Sequence, residues 1–280
     1  NLERGHREAV DKRAAFRKGD LRDKDRISRV MADIKPDAVM HFAAYALVPE
    51  SMEKPEIYFR NNVVGGTNLA EAMHEADVGK IVFSSTCATY GQPEKVPITE
   101  DVAQRPTNPY GESKLMFEQT LKWYHTLYGM ATVFLRYFNA CGATEKFGED
   151  HDPETHIIPI IMQVALGQRK QVKIYGNDYE TPDGTCLRDY IHIVDLAQAH
   201  ILALKGRHSG PFNLGTGHGY SVLEVIETAR KITGHPIPAE IAPRRAGDPA
   251  KLVAGADKAR KVLKWKPKYD NLESIIRSAW

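Results

Sequence analysis

Short apolar runs separated by longer amphipathic stretches leave this chain few folds to choose from. AVMHFAA (38–44), KIVFSS (80–85) and ATVFLRYFN (131–139) have the length and composition of strands covered on both faces. Between them, apolar side chains recur at helical spacing. Residues 23–34 carry Ile27, Val30, Met31 and Ile34, and residues 57–77 carry Val63, Leu69, Ala70 and Met73. Residues 109–128 open with Pro109 and carry Leu115, Met116 and Leu121. Strand–helix–strand alternation of this kind predicts right-handed βαβ units and an α/β fold with a doubly wound parallel sheet. After Asn139 the texture changes. A polar loop (140–156) with Gly142, Gly148 and Pro153 leads to an apolar helix (157–167), followed by shorter elements rich in Pro and Gly. This divides the chain into a larger unit, 1–139, and a smaller one that makes up most of 140–280. YIHIVDLAQAHILAL (190–204) reads as a strand and helix returning to the first unit, within a returning stretch 187–206. GTGHGY (215–220) lacks the Lys-Ser/Thr of a phosphate loop and reads as a tight turn before a helix starting near Ser221.

Composition narrows the function. With 280 residues, 42% hydrophobic and 26% charged, the chain is globular. Its 38 basic and 36 acidic residues give +2, with no footprint for nucleic acid. No apolar run approaches the roughly 20 residues that span a bilayer, so no membrane partner is expected. Cys87, Cys141 and Cys186 are far apart and odd in number. That speaks against a disulfide framework or a zinc site and for a reducing, cytoplasmic setting. Eleven histidines are scattered without HExxH or CxxC spacing, so no catalytic metal is expected. His192 and Asp195 read as packing or helix-capping groups. The chain opens on Asn1 and stops at Trp280 within a helical pattern, which reads as a piece of a longer protein.

The residues that carry chemistry are few. Tyr110 and Lys114 stand four apart just after Pro109, on one helix face about 6 Å apart. A phenol acting as a base near neutral pH must fall from about 10 to about 7, worth roughly 4 kcal/mol of phenolate stabilisation. A neighbouring ammonium supplies part of that. The plain alternative is a Tyr and a Lys on an ordinary amphipathic helix. KIVFSST (80–86) adds three hydroxyls at a strand end, where doubly wound sheets bind ligands. Thr86, Tyr110 and Lys114 then suit proton removal from an alcohol whose carbon loses hydride, although Thr86 could equally cap a turn. Cys87 has no evident His partner and reads as a core thiol.

HFAA (41–44), NNVVGGTN (61–68), FSSTCATYG (83–91), PYGESK (109–114), RYFNACGA (136–143), GTCLRDYIHIVDLA (184–197) and APRRAGD (242–248) resemble, in order and spacing, the UDP-glucose 4-epimerases of the extended short-chain dehydrogenase/reductase family. The resemblance implies a Rossmann-like first unit that binds NAD and a second that binds the UDP-sugar. It implies that Tyr110 is the base at the sugar 4′-hydroxyl, that Lys114 lowers its pKa and bonds the nicotinamide ribose, and that Thr86 holds the same hydroxyl. Hydride would leave sugar C4 for NAD+ and return on the other face of a 4-keto sugar. Cofactor contacts are implied for Asn1, Leu2, Asp20, Leu21, Phe42, Ala43, Ala44, Tyr45, Ala46, Asn61 and Phe138, besides Thr86, Tyr110 and Lys114. Substrate contacts are implied for Asn139, His156, Ile157, Lys173, Tyr175, Arg188, Arg245, Asp248 and Leu252, besides Thr86 and Tyr110. Arg188 and Arg245 suit a diphosphate. A homodimer through a four-helix interface, built from residues 57–77 and 109–128, is implied as well.

Departures from the family's pattern qualify these expectations. The Gly-rich phosphate turn is not in this chain, and Asn1 and Leu2 resemble residues just past the second strand of the fold. Ala46 stands where some members have a Lys near the pyrophosphate. Leu252 stands at the sugar-pocket gate, which points to a roomier pocket and activity on UDP-GlcNAc. Two rivals remain: another nucleotide-sugar enzyme, such as a UDP-GlcNAc 4-epimerase, a decarboxylase or a 4,6-dehydratase, and a fragment without NAD binding or activity. The Asp-Glu pair that a dehydratase carries after its strand-end Thr is replaced by Cys87 and Ala88.

Overall fold

The computed structural model describes residues 1–280. Four parallel strands, Val39–His41, Lys80–Ser84, Ala131–Tyr137 and Gly210–Leu214, lie side by side in that order. Alternation along them divides the core in two. Ile81, Phe83 and Phe134 face one side, against Leu69, Ala70 and Met73 of the helix Gly65–Glu75 and Phe117 and Leu121 of the helix Pro109–Tyr128. Val82, Val133, Leu135, Phe212 and Leu214 face the other, against Ala199 and Ala203 of the helix Ile193–Lys205, with Ala259, Leu263 and Trp265. A sheet covered on both faces is what the near-continuous apolar runs require.

A second core gathers Ile158, Ile161 and Met162 of the helix Ile157–Ala165 with Val225 and Ile226 of the helix Val222–Thr233 and Ile275 and Ile276 of the helix Leu272–Ala279. A parallel pair of strands, Val172–Tyr175 and Ala239–Ala242, completes it. The second half returns to the first sheet more often than its sequence suggests. Besides the helix Ile193–Lys205, the strand Gly210–Leu214 pairs with Ala131–Tyr137, and Trp265 donates from its indole to the Asp195 carbonyl at 2.9 Å.

Two further elements differ from the sequence reading. Residues 57–77 are not one regular helix. Pro55–Tyr58 runs through a π-helical stretch, Phe59–Val64, into Gly65–Glu75. The third apolar run ends as a sheet strand at Tyr137, and Asn139–Cys141 instead pairs with Tyr190–His192. The Gly-rich turn is tied down by the buried Asp189, whose carboxylate accepts from Thr216 N, Gly217 N and Ala254 N at 2.8, 2.9 and 3.0 Å. Ser221 then opens the next helix with a capping box to Glu224.

Candidate active site

Local chemistry places Tyr110. Asn108 caps its helix, accepting from Gly111 N at 2.8 Å, and Pro109 presets the first turn. Gly111 has no Cβ because one would lie 2.5 Å from the Ala88 carbonyl oxygen. The helix start therefore docks on the 3-10 turn Cys87–Tyr90, which Thr86 caps by accepting from Ala88 N at 3.1 Å. Thr86 and Tyr110 meet there, both buried. Only the last of the three strand-end hydroxyls faces this site. Ser84 Oγ pairs with His200 Nε2 at 2.7 Å and Ser85 Oγ donates to Glu118 at 2.5 Å, on opposite faces of the sheet as successive residues require, whereas Thr86 lies past the strand end as the cap of the turn. Glu118 also binds Arg136 at 2.6 Å in a fully buried pair behind the site.

The electrostatics run against one expectation. Burial, reinforced by the Tyr137 phenol, pushes the Tyr110 phenol well above its ordinary value, and among the dominant influences only Thr86 favours the phenolate. Lys114 donates to the Ser84 carbonyl at 2.8 Å and lies 4.8 Å above the Phe83 ring. Burial lowers it to about 7. The helical spacing brings the pair to one face, but the Lys114 amine is engaged by the strand-end carbonyl and burial dominates the phenol. His41, stacked on Phe83 at 5.4 Å, is pulled to about 3 by burial and then by Lys114, and is neutral. Cys87 is the core thiol expected, pushed up to about 12 by burial.

Of the three N–H donors on Lys114, one is used by Ser84. The other two leave donor capacity for a vicinal diol such as a ribose, beside the open stretch of Phe42 and Ala43 just past the strand Val39–His41; Phe42 is 59% exposed. Tyr45 is buried against Tyr58 and Tyr110. The residue that fixes this stretch is one the sequence reading missed. Asn62, not Asn61, is buried and hydrogen-bonds the Tyr45 backbone, while Asn61 merely donates to Asn62 at 3.1 Å. The signal available was the paired Asn inside an otherwise apolar helix. Asp20 is held by Arg22 at 2.7 Å and accepts from Asn1 at 2.8 Å. Leu2 is exposed at φ 66°, and Leu21 packs over Gly65. Phe138 is buried with Cys87, Tyr90 and Leu252.

Eight expected substrate residues converge. Asn139, His156, Ile157, Lys173, Tyr175, Arg188, Arg245 and Asp248 line one cavity of about 330 Å³, with Ala46 at its edge and Arg169 and Gln171 as members the sequence reading did not single out. Asn139 donates through its amide to the Asp189 carbonyl at 2.8 Å. Arg188 is nearly buried, 3.6 Å from Asp248, and the Arg245 guanidinium stacks 3.8 Å over the Tyr175 ring. Burial pulls the His156 imidazole down, but Glu149 and Glu154 outweigh it and hold it at about 9. Leu252 does not line the cavity; it packs inside, paired with Arg188 across neighbouring strands. Val48 joins the two halves of the site, lining the cavity and packing on the Tyr45–Tyr58–Tyr110 cluster.

Comparison with known proteins agrees with this layout. A family profile described as GDP-mannose 4,6 dehydratase matches residues 1–278. A UDP-glucose 4-epimerase of Lacticaseibacillus casei is 55% identical over 286 residues, covering 100% of this chain and 86% of that protein. The crystal structure of UDP-glucose 4-epimerase from Brucella ovis in complex with NAD superposes with a TM-score of 0.94 at 47% identity, over 100% of this chain and 87% of that one. The Bifidobacterium longum enzyme in complex with NAD+ and UDP gives 0.89 at 44%, over 94% and 81%. Agreement of this extent in sequence and in backbone course settles the family: the chain belongs to the UDP-glucose 4-epimerases, within the extended short-chain dehydrogenase/reductases.

Proposed function

We propose that the protein interconverts UDP-galactose and UDP-glucose through a 4-keto sugar, with NAD held at the carboxyl ends of the sheet. The observation that carries this reading is the placement of two basic side chains, Arg188 and Arg245, in one cavity that shares Val48 with the buried Tyr110 cluster. A guanidinium fork matches phosphate oxygens and stays charged. The cavity thus suits the uridine diphosphate, with the sugar directed at Thr86 and Tyr110. NAD, when bound, supplies a reversible hydride acceptor for sugar C4 and a cationic ring. Lys114 holds a ribose through its remaining donors, and the 42–46 stretch lies along the dinucleotide. Tyr110 exchanges the proton of the sugar 4′-hydroxyl, and Thr86 orients that hydroxyl. The free phenol is too basic to do this alone, so proton exchange requires positive charge brought into the crevice. Elimination chemistry is disfavoured, because Cys87 and Ala88 offer no acid–base pair after Thr86.

The assembly we propose is a homodimer. Met116, Trp123 and Leu127 are exposed at helical spacing on one face of Pro109–Tyr128, and Val64 is exposed where Phe59–Val64 meets Gly65–Glu75. No helix is long and apolar enough to cross a membrane. The three free cysteines fit a reducing cytoplasm.

The test is to incubate the protein and NAD with UDP-galactose, without added reductant, and follow the anomeric protons by NMR. UDP-glucose should accumulate with no net NADH, and Tyr110→Phe should slow this at least 100-fold, the effect of losing a positioned general base. A 4-keto-6-deoxy product, or full turnover by Tyr110→Phe, would overturn the reading.

A further inference from the structure

Residues 149–156 form neither helix nor strand, yet four side chains in this segment converge. Glu149, His151, Glu154 and His156 each offer a ligand atom, and these atoms all lie within 4.8 Å of one another. His156 Nδ1 is 2.5 Å from Glu149 Oε1 and 3.4 Å from Glu154 Oε1. His151 Nδ1 is 3.1 Å from Glu149 Oε1 and 3.7 Å from Glu154 Oε2. Glu154 is 3% exposed at its side chain and Glu149 18%. Neither carboxylate is paired with a lysine or arginine. The two poorly solvated carboxylates thus have two imidazoles, rather than a lysine or arginine, as their charged partners.

We propose that these four side chains bind a divalent transition cation of zinc's class and that the ion clips the 149–156 segment onto itself. Two nitrogens and two carboxylate oxygens are a borderline ligand set, favouring Zn2+ or Co2+ over Ca2+ or Mg2+. Four protein ligands leave no open position, which is the pattern of a structural site rather than a catalytic one. With metal–ligand distances of about 2.0–2.2 Å, tetrahedral ligands stand roughly 3.4 Å apart. The four His–Glu separations of 2.5–3.7 Å bracket that value and the remaining pairs lie within 4.8 Å, so side-chain shifts of about an ångström would complete the site. All four ligands come from eight consecutive residues, so the clip closes a short loop. His156 also lines the large cavity, and the ion would pin that wall. The binding itself does not depend on which substrate the cavity takes.

The test uses the whole chain, treated with a chelator, dialysed and titrated with Co2+ as the spectroscopic probe. One equivalent should give the visible ligand-field bands of four-coordinate Co2+, and Zn2+ should displace them. His151→Gln is the clean variant, because His151 is half exposed and outside the cavity, whereas Glu154 also accepts the Thr155 and His156 amides at 2.7 Å and shapes the turn. This variant should weaken Zn2+ binding at least tenfold. Chelation should lower the melting temperature of the parent but not of the variant. Absence of the bands, or equal Zn2+ affinity of parent and His151→Gln, would overturn the proposal. No readout involves a sugar nucleotide, so its failure is distinct from failure of the epimerase reading.

Discussion

The side-chain amide of Asn62 holds both backbone groups of Tyr45, accepting from its N–H at 2.9 Å and donating to its carbonyl at 3.0 Å. The same amide nitrogen donates to Ser113 Oγ at 2.9 Å, tying the stretch past the first strand to the helix that carries Tyr110. Asn62→Ala strands the Tyr45 N–H and carbonyl and should cost about 2–4 kcal/mol. Urea unfolding measures this. Because the 42–46 stretch would loosen, NAD affinity by calorimetry should fall as well. An unchanged affinity would separate Asn62 from cofactor binding.

Gly111 lets the helix start approach the Ala88 carbonyl. A methyl group there meets that oxygen at 2.5 Å, and neither backbone can yield without moving Tyr110. Gly111→Ala should cost about 1–3 kcal/mol through overpacking. It should also lower kcat by more than the loss of folded protein explains. Turnover corrected for the folded fraction is the deciding quantity.

Lys114 is lowered from 10.5 to about 7, first by burial. The unfolded chain therefore binds a proton that the native state releases between these values, and stability should rise with pH across that window. Below pH 7 the contribution is constant. Lys114→Met removes this dependence. Urea midpoints at pH 7 and pH 10 should show the parent gaining stability relative to the variant; parallel midpoints would show that Lys114 stays charged in the native state.

The apolar stripe of Trp123 and Leu127, 62% and 63% exposed, should be covered by a second copy. Leu127→Glu should turn a dimer into a monomer by light scattering, with little effect on monomer secondary structure. A parent that is itself monomeric at micromolar concentration would remove this interface.

Much of the sheet was legible because its strands are apolar on both faces and short, and because Pro109 marks the start of the long helix. The π-helical stretch at Phe59–Val64 was not legible, since a single wide turn barely alters apolar spacing. Nor was the fate of the strand-end hydroxyls, which depends on partners as distant as His200 and Glu118. The YxxxK spacing placed Tyr110 and Lys114 on one face but said nothing of the Ser84 carbonyl that engages the ammonium. The cavity residues came from resemblance alone, because they are gathered from five separate stretches. The His–Glu cluster escaped a search for familiar metal spacings because its ligands sit on an irregular segment.

The fourth strand of the first sheet, Gly210–Leu214, and the indole of Trp265 come late in the chain, yet they close the core that begins at Val39. During synthesis, the early strands emerge with one flank unpaired and one face uncovered until residue 265 has left the ribosome. The two units therefore cannot mature one after the other, as beads on a string would. The nascent chain must keep the edge of Ala131–Tyr137 from wrong partners while the roughly 75 residues up to Gly210–Leu214 are added.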